Sequence, residues 1–309
     1  MPDFASLEYW DNRFEKDSKP FDWLVPATAL RDVTQDMIEA EALQNAEILH
    51  IGAGTSECFV LRKLVSNPEQ IHNVDYSDPA VAIGQTRERE LLIKEDETDR
   101  VQDLLEIGDN KHDSVQLNEL PKSMRWSCMN LLDLRSTLDL HRSQLQAGKL
   151  YDLVLDKSTS DSIGCGADLH LTLPYPLSIN GWTRRLQGSG TTQAANVHPL
   201  HILAVHLAAL TTPRTGRWLA ISYSEDRFPF LPPFPPTTGN GLLSDDVIKA
   251  GFPHPHQLWR LETKQQIALD GKEETLAERK KRLSLGYLHR PRVSHWLYVL
   301  KRTDALVTA

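Results

Sequence analysis

Cysteine is scarce in this chain, with three residues in 309, and their number is odd. Cys58, Cys128 and Cys165 show no CxxC pair and no spacing to histidine that would build a metal site, so neither a disulfide framework nor a zinc ribbon organises the fold. They read as small apolar residues buried in a protein of a reducing compartment, and a cytoplasmic location is expected. Long hydrophobic runs are missing as well. The richest, Leu200–Leu210, carries two histidines and falls short of a membrane span. Met1–Lys19 is polar and charged, unlike a signal peptide. An excess of basic charge is absent: the net charge is −8, which argues against a dedicated nucleic-acid surface. GxSxG does not occur, so a serine hydrolase is not supported. Histidine is present, but His198, His201 and His206 do not fall together on one helical face, and His254 and His256 lack an acidic companion. No metal is therefore expected.

What is present is an ordinary globular balance of 40% hydrophobic and 25% charged residues. The chain is long enough to bury a large core, and one α/β domain with insertions accounts for it as well as two domains would. The pattern begins with an aromatic arm, 1–27, in which Tyr9, Trp10, Phe14, Phe21 and Trp23 crowd into a short stretch. Trp10 and Phe14 are four apart and share a helical face, which either docks on the core or covers a flat ligand. A helix over Thr28–Gln44 leads to the stretch EILHIGAGTS, Glu47–Ser56. There an apolar strand, a turn with Gly52 and Gly54, and a helix over Thr55–Val65 are expected. Glycine in such a turn lets backbone N–H groups approach a ligand that a Cβ would block.

The second strand ends at Asp75, 23 positions beyond Gly52. A carboxylate in that place accepts both hydroxyls of a ribose in dinucleotide and nucleoside folds. Asp78-Pro79 supplies a cap and a first helical position for the next helix, which leaves Asp75 for another task. An acidic insertion near 95–121 follows, then a third strand, Met124–Cys128, with Asn130 and Leu131 just past its end. Asn130 could meet an adenine amine through its side-chain carbonyl, or could be a turn residue. The fourth strand, Leu150–Leu155, runs into the polar cluster Asp156-Lys157-Ser158-Thr159-Ser160-Asp161-Ser162, where a parallel sheet presents its ligand crevice. Asp156 and Asp161 could orient a reacting group or cap the next helix. Loop-rich 164–197 reads as a cover over a pocket. Beyond it come an apolar helix at His198–Leu210, a fifth strand at Trp218–Tyr223, and an insertion over 226–285. That insertion includes the Phe228–Pro236 run FPFLPPFPP, read as a rigid loop with packed aromatics rather than a polyproline ligand, and a charged helical segment at Glu273–Leu285. Strands at Leu258–Ile267 and Ser294–Lys301 close the chain.

The arrangement predicts a Rossmann-like, doubly wound, seven-stranded and mostly parallel sheet. The last strand is antiparallel, and helices cover both faces. With that layout, three separated motifs resemble one family: YWDNRF…FDWL in the arm, ILHIGAGTS…VDYS at the glycine turn, and YDLVLDKSTSDS on the fourth strand. The terminal HWLYVLKR is similar to the family's final strand. The chain resembles class I S-adenosylmethionine-dependent methyltransferases, in particular the group that includes the elongation factor 1-alpha lysine methyltransferases.

That resemblance implies S-adenosylmethionine as cofactor, with Trp10, Phe14 and Phe21 lining it from the arm. Gly52 and Gly54 would approach its methionine part, and Asp75 and Tyr76 its ribose and adenine. Asn130 and Leu131 would flank the base, and Lys157 would sit beside the methionine end. It further implies a protein lysine as methyl acceptor; a small-molecule acceptor and a non-catalytic binding protein on the same fold are the alternatives. The sequence departs from the family pattern at His50, where many methyltransferases carry an acid, at Ser56 in place of the third glycine, at Asn130 in place of Asp, and at Ser158 in place of Gly.

Overall fold

The computed structural model describes residues 2–308 apart from 24, 42, 44, 107–121, 181–191, 233–242, 268–279, 281–283 and 285–293. In chain order the elements are α1 (Leu7–Lys16), α2 (Ala27–Ala40), β1 (Ile48–Ile51), β2 (Ile71–Asp75), α3 (Asp78–Glu106), β3 (Arg125–Cys128), α4 (Leu134–Gln146), β4 (Leu153–Lys157) and α5 (Thr159–Ile163). They continue with β5 (Leu169–Leu173), β6 (Ser178–Ile179), β7 (Gln193–Val197), α6 (Pro199–Leu210), β8 (Arg217–Ser222), α7 (Asp245–Lys249), β9 (Trp259–Ile267), β10 (His295–Arg302) and β11 (Val307–Thr308).

Seven strands form one sheet in the order β3-β2-β1-β4-β8-β10-β9. The pairs from β3 through β8 are parallel, and β10 runs antiparallel to both of its neighbours. This is the Rossmann-like, doubly wound sheet anticipated from the sequence. Helices on both faces explain why β1, β2, β4 and β8 are buried at every residue instead of alternating with solvent. The period of two survives in which core each side chain joins. Leu49, Ile51 and Val154 pack with α6 and the edge of α4, whereas Ile48, Leu153 and Leu155 pack with Leu30 and Ile38 of α2. Every residue of α6 is buried, as befits a helix that is apolar all round.

Chain order reverses on either side of β1 and β4, so a crevice opens at their carboxyl ends. Gly52 follows β1, Asp75 ends β2, Asn130 follows β3 and Lys157 ends β4, which gathers them along that one edge.

The structure differs from the sequence-based expectation in several places. The segment after the glycine turn is a 3₁₀ helix, Cys58–Leu64, rather than an α-helix over Thr55–Val65. The turn residues Thr55 and Ser56 are occupied instead by bonds to the arm, their hydroxyls donating to the carbonyls of Lys19 and Phe21 at 3.2 Å. Ser77, not Asp78, caps α3: its hydroxyl accepts from the N–H of Ala80. The region read as loop contains a two-stranded antiparallel hairpin, β5 with β7, and β6 pairs with β11 at the chain's far end. Cys128 and Cys165 are exposed, not buried, because one ends the edge strand β3 and the other follows the short α5. The aromatics of the FPFLPPFPP run do pack: Phe228 and Phe230 are buried, and Phe228 meets Trp218 edge-on at 4.8 Å. Residues 233–236 of that run, with its third aromatic, Phe234, the basic pair Arg184-Arg185, and all of Glu273–Leu285 but Lys280 and Ser284 lie outside the described residues.

Candidate functional site

Lining one cavity of about 590 Å³ at the carboxyl edge of the sheet are all ten residues singled out in the sequence: Trp10, Phe14, Phe21, Gly52, Gly54, Asp75, Tyr76, Asn130, Leu131 and Lys157.

The floor is the turn after β1. Gly52 and Gly54 both adopt positive φ, +59° and +55°, which only glycine enters at no steric cost. A Cβ on Gly52 would land inside the Thr159 side chain, whose hydroxyl donates to Ile51 O at 2.9 Å. A Cβ on Gly54 would find nothing nearer than 3.6 Å, at Phe14, so it would project into the cavity instead. The bare backbone here makes a cradle that a side chain would fill. Beneath it His50 is buried, and its Nδ1–H donates to the Asn73 side-chain carbonyl at 2.8 Å. Burial lowers the imidazole pKa to about 4, so His50 is a neutral member of the core at the position where the family pattern carries an acid.

Asp75 is buried, and both of its oxygens are engaged. Gly54 N–H donates to one at 2.8 Å and Ser77 N–H to the other at 2.9 Å. Each oxygen retains a second lone pair, enough to accept a hydroxyl from a ligand. Burial pushes the carboxyl up to about 6, and the N–H donors only partly offset it. Past β3, the side-chain carbonyl of Asn130 accepts from Leu132 N–H at 2.9 Å. The turn role is therefore real, and the amide NH2 is the group Asn130 has left to offer the cavity.

On the other side, β4 delivers Lys157, and Ser158 follows in the left-handed region at φ +67°. Asp156, fully buried, caps α5 by accepting from Thr159 N–H at 2.8 Å and Ser160 N–H at 3.2 Å. Asp161 is buried against Arg227 at 2.7 Å and accepts from Ser222 Oγ at 2.5 Å. Both carboxylates hinted at in the sequence are thus held by the scaffold, and neither is among the residues lining the cavity.

The arm forms the roof. α1 places Trp10 and Phe14 on its buried face, their rings stacked 5.7 Å apart, and Arg13 lies 3.5 Å over the ring of Phe21. The arm is fastened at several points around the rim. Ser77 Oγ donates to Asp11 Oδ1 at 2.6 Å, Arg87 donates to Ser18 O, and Lys157 Nζ lies 3.2 Å from Asp22 Oδ1. Phe4 O accepts from Ser162 Oγ, and Ala5 O accepts from Tyr76 hydroxyl at 3.5 Å, so residues 4 and 5 strap the mouth from β2 to α5.

Sequence reasoning missed part of the lining. Trp23 stood in the FDWL motif without an assigned role, as did Asp22, which does not line the cavity but pairs with Lys157. Thr159 and Ser162 stood in the YDLVLDKSTSDS motif, also without assigned roles, and the wall from Gly166 to Leu169 carried no motif that would have marked it. Among the described residues no cluster of three metal-ligating side chains occurs, and no helix is long and apolar enough to cross a membrane.

No protein-family model matches the chain. Over 168 residues, 54% of the chain, it is 27% identical to the curated "Methyltransferase srdJ" of Neurospora crassa, and the match spans only 57% of that protein's length. Among solved structures, a S-adenosylmethionine-dependent methyltransferase from Anabaena variabilis is similar with a TM-score of 0.46 at 11% identity, over 96% of this chain and 93% of that one. Magnesium protoporphyrin IX methyltransferase from Synechocystis, solved with bound S-adenosylmethionine, gives 0.41 at 12% identity, over 97% and 98%. Geranyl diphosphate C-methyltransferase from Streptomyces coelicolor gives 0.41 at 10%, over 98% and 99%.

Proposed function

We propose that this chain is a S-adenosylmethionine-dependent methyltransferase. The observation that carries the reading is a single cavity in which the bare Gly52–Gly54 turn, a buried Asp75 and an aromatic roof face one another at the sheet's topological switch point. The methyltransferase name of the Neurospora relative supports it.

In this reading Asp75 accepts the ribose hydroxyls, Tyr76 and Leu131 hold the base, and the Gly52–Gly54 backbone admits the methionine part. Lys157, held by Asp22, offers positive charge to a carboxylate at that end. When bound, the cofactor supplies a methyl group on a sulfonium, which an in-line nucleophile of the acceptor takes. The chain's task is then alignment and the exclusion of water, and the arm performs both by closing over the cavity. The donor is already activated and needs no acid from the chain, but an acceptor amine must give up its proton, to solvent in the simplest case, before it attacks the methyl.

For the acceptor we favour a protein lysine, on the resemblance of the YWDNRF, FDWL and LDKSTSDS motifs. A small-molecule acceptor is the second reading, favoured by the strap of Phe4 and Ala5 across the mouth, which suits a closed chamber. Calorimetry with S-adenosylmethionine tests the cofactor: no binding by folded protein refutes enzymatic methyl transfer and favours a binding protein on this fold. Transfer of labelled methyl into protein extract against metabolite extract tests the acceptor, and label confined to small molecules rules out the lysine reading.

A further inference from the structure

His206 is a polar residue in the middle of α6, a helix buried on all sides, and it is itself wholly buried. Nothing in the proposed chemistry uses it. Its surroundings nevertheless fix its protonation in detail. Nδ1 lies 2.7 Å from the carbonyl oxygen of Leu131 and 3.2 Å from Thr137 Oγ1, and Nε2 lies 2.8 Å from the hydroxyl of Tyr175. A carbonyl can only accept, so the proton sits on Nδ1. Burial lowers the imidazole pKa to about 4, so the ring is neutral near pH 7. Nε2 then carries a lone pair, and Tyr175 must be the donor to it. The two rings lie 20° from parallel with centroids 6.1 Å apart, an end-to-end arrangement that suits an in-plane hydrogen bond.

Of the two partners Leu131 lines the cavity, and Tyr175 is joined to its lining through β5. Leu131 sits in the loop after β3, and Leu131 itself lines the cavity. Tyr175 follows β5, whose first residue, Leu169, also lines the cavity. Without the imidazole, the Leu131 carbonyl would face an apolar helix in a site closed to water, which a backbone acceptor does not tolerate cheaply.

We infer that His206 is a positioning residue. As its Nδ1–H tautomer it holds the base-side loop 130–132 in place through the Leu131 carbonyl, and through Tyr175 it ties that loop to the wall built on β5. The inference rests on the cofactor reading above only for what the loop serves; the geometry stands without it.

Two near-isosteric variants separate the links. In His206→Asn the amide N–H falls where Nδ1 does and can still donate to Leu131, but it cannot reach Tyr175. In His206→Gln the amide reaches Tyr175 and abandons Leu131. Hydrogen exchange at residues 129–133 should quicken by about tenfold or more in His206→Gln and stay near wild type in His206→Asn. Equal exchange in the two variants overturns the inference. Affinity for S-adenosylmethionine should follow the same order, with His206→Gln about tenfold weaker. Nitrogen NMR of the unmodified protein needs no variant: a proton on Nδ1 at pH 7 is expected, and a proton on Nε2 overturns the assignment even if neither variant folds. Absence of cofactor binding by the wild type would sink the methyltransferase reading, while the tautomer and the exchange data would still decide the role of His206.

Discussion

Lys157 Nζ, at the carboxyl end of β4, lies 3.2 Å from Oδ1 of Asp22 on the amino-terminal arm. The second Asp22 oxygen accepts from Ala27 N–H at 3.2 Å, at the start of α2. One carboxylate therefore joins sheet, roof and first helix of the core. The lysine side chain is only 6% exposed and that of the aspartate 29%, so the pair is largely withdrawn from water and screening does little to weaken it.

Replacing Asp22 by Asn keeps the shape and an acceptor for Ala27 but removes the charge facing Lys157. Arm closure should weaken more than the fold does. The expected outcome is roughly a tenfold loss in affinity for S-adenosylmethionine, with thermal stability falling by only a few degrees. A double-mutant cycle with Lys157→Met would assign the coupling to this pair. Unchanged affinity in Asp22→Asn would mean that the arm's aromatic packing and its other hydrogen bonds hold it closed without this pair.

Gly52→Ala introduces two separate faults, a Cβ at φ +59° and a clash with Thr159. The first costs roughly 1–2 kcal/mol, and the second comes on top. Thr159→Ala removes the two nearest obstructing atoms, Oγ1 and Cγ2, leaves its own Cβ at 2.9 Å, and gives up the bond to Ile51 O. The double variant should thus be more stable than the sum of the two single losses, by roughly 1 kcal/mol or more in urea unfolding. Strict additivity would show that the steric fault is absorbed elsewhere.

How far the sequence revealed this molecule can be judged from those same residues. Gly52, Asp75 and Lys157 were visible because each stands at the end of an apolar run with a strong period, and strand ends in a parallel sheet converge on one edge. Asp22 was in plain view within FDWL, but its partner lies across the sheet and no local spacing reports that. The hairpin β5–β7 was hidden for a different reason. Leu169 and Leu171 alternate with His170 and Thr172, yet both strands stay largely exposed, and the proline-rich and glycine-rich flanks outweighed so short a pattern. His206 looked like one histidine among several until tertiary packing supplied Leu131 and Tyr175.

Ser158 offers a cleaner test of backbone strain. It holds φ +67° at the junction of β4 and α5, where the family pattern places glycine, and its hydroxyl donates to Ile221 O at 3.3 Å. Ser158→Ala and Ser158→Gly both lose the hydroxyl, and in the folded state they differ only by a Cβ in the left-handed region. The glycine variant should be the more stable of the two by about 1 kcal/mol despite its looser unfolded chain. Equal stability, or a more stable alanine variant, would show that this junction relaxes out of the left-handed conformation.

Cofactor binding should depend on the ionisation of Asp75. Its carboxyl, pushed up to about 6 by burial, must be charged to accept two ribose hydroxyls without a proton of its own in the way. Affinity for S-adenosylmethionine should be flat above that pH and fall about tenfold per pH unit below it. Asp75→Asn should bind weakly at every pH and lose the dependence. A wild-type profile that stays flat from pH 7 to pH 5 would refute the ribose role.

The stability of the fold should carry the opposite influence of its buried histidines. His50, His72 and His206 are each lowered from 6.5 to about 4, chiefly by burial, so between those values the unfolded chain binds protons that the folded chain refuses. Their contribution is complete above pH 6.5 and is lost as the pH falls toward 4. Asp75 and Asp156 work the other way: both are raised from 3.8 to about 6, so the stability they contribute is present below 3.8 and lost as the pH rises toward 6. Asp161 is raised as well, and His254, His141, His198 and His295 are lowered, so among the described residues seven lowered histidines outnumber three raised carboxylates, and above pH 6 the histidines act without the opposition of Asp75 and Asp156. The unfolded state therefore binds more protons in net from these groups, and stability must rise with pH. Urea unfolding should show a protein that is less stable at pH 5 than at pH 7. Each of His50→Gln and His72→Gln should flatten the difference, because each removes one of the proton sites that the folded state excludes. A stability maximum at pH 5 would mean that the raised carboxylates dominate and that the histidines are better solvated than their burial between strands and helices implies.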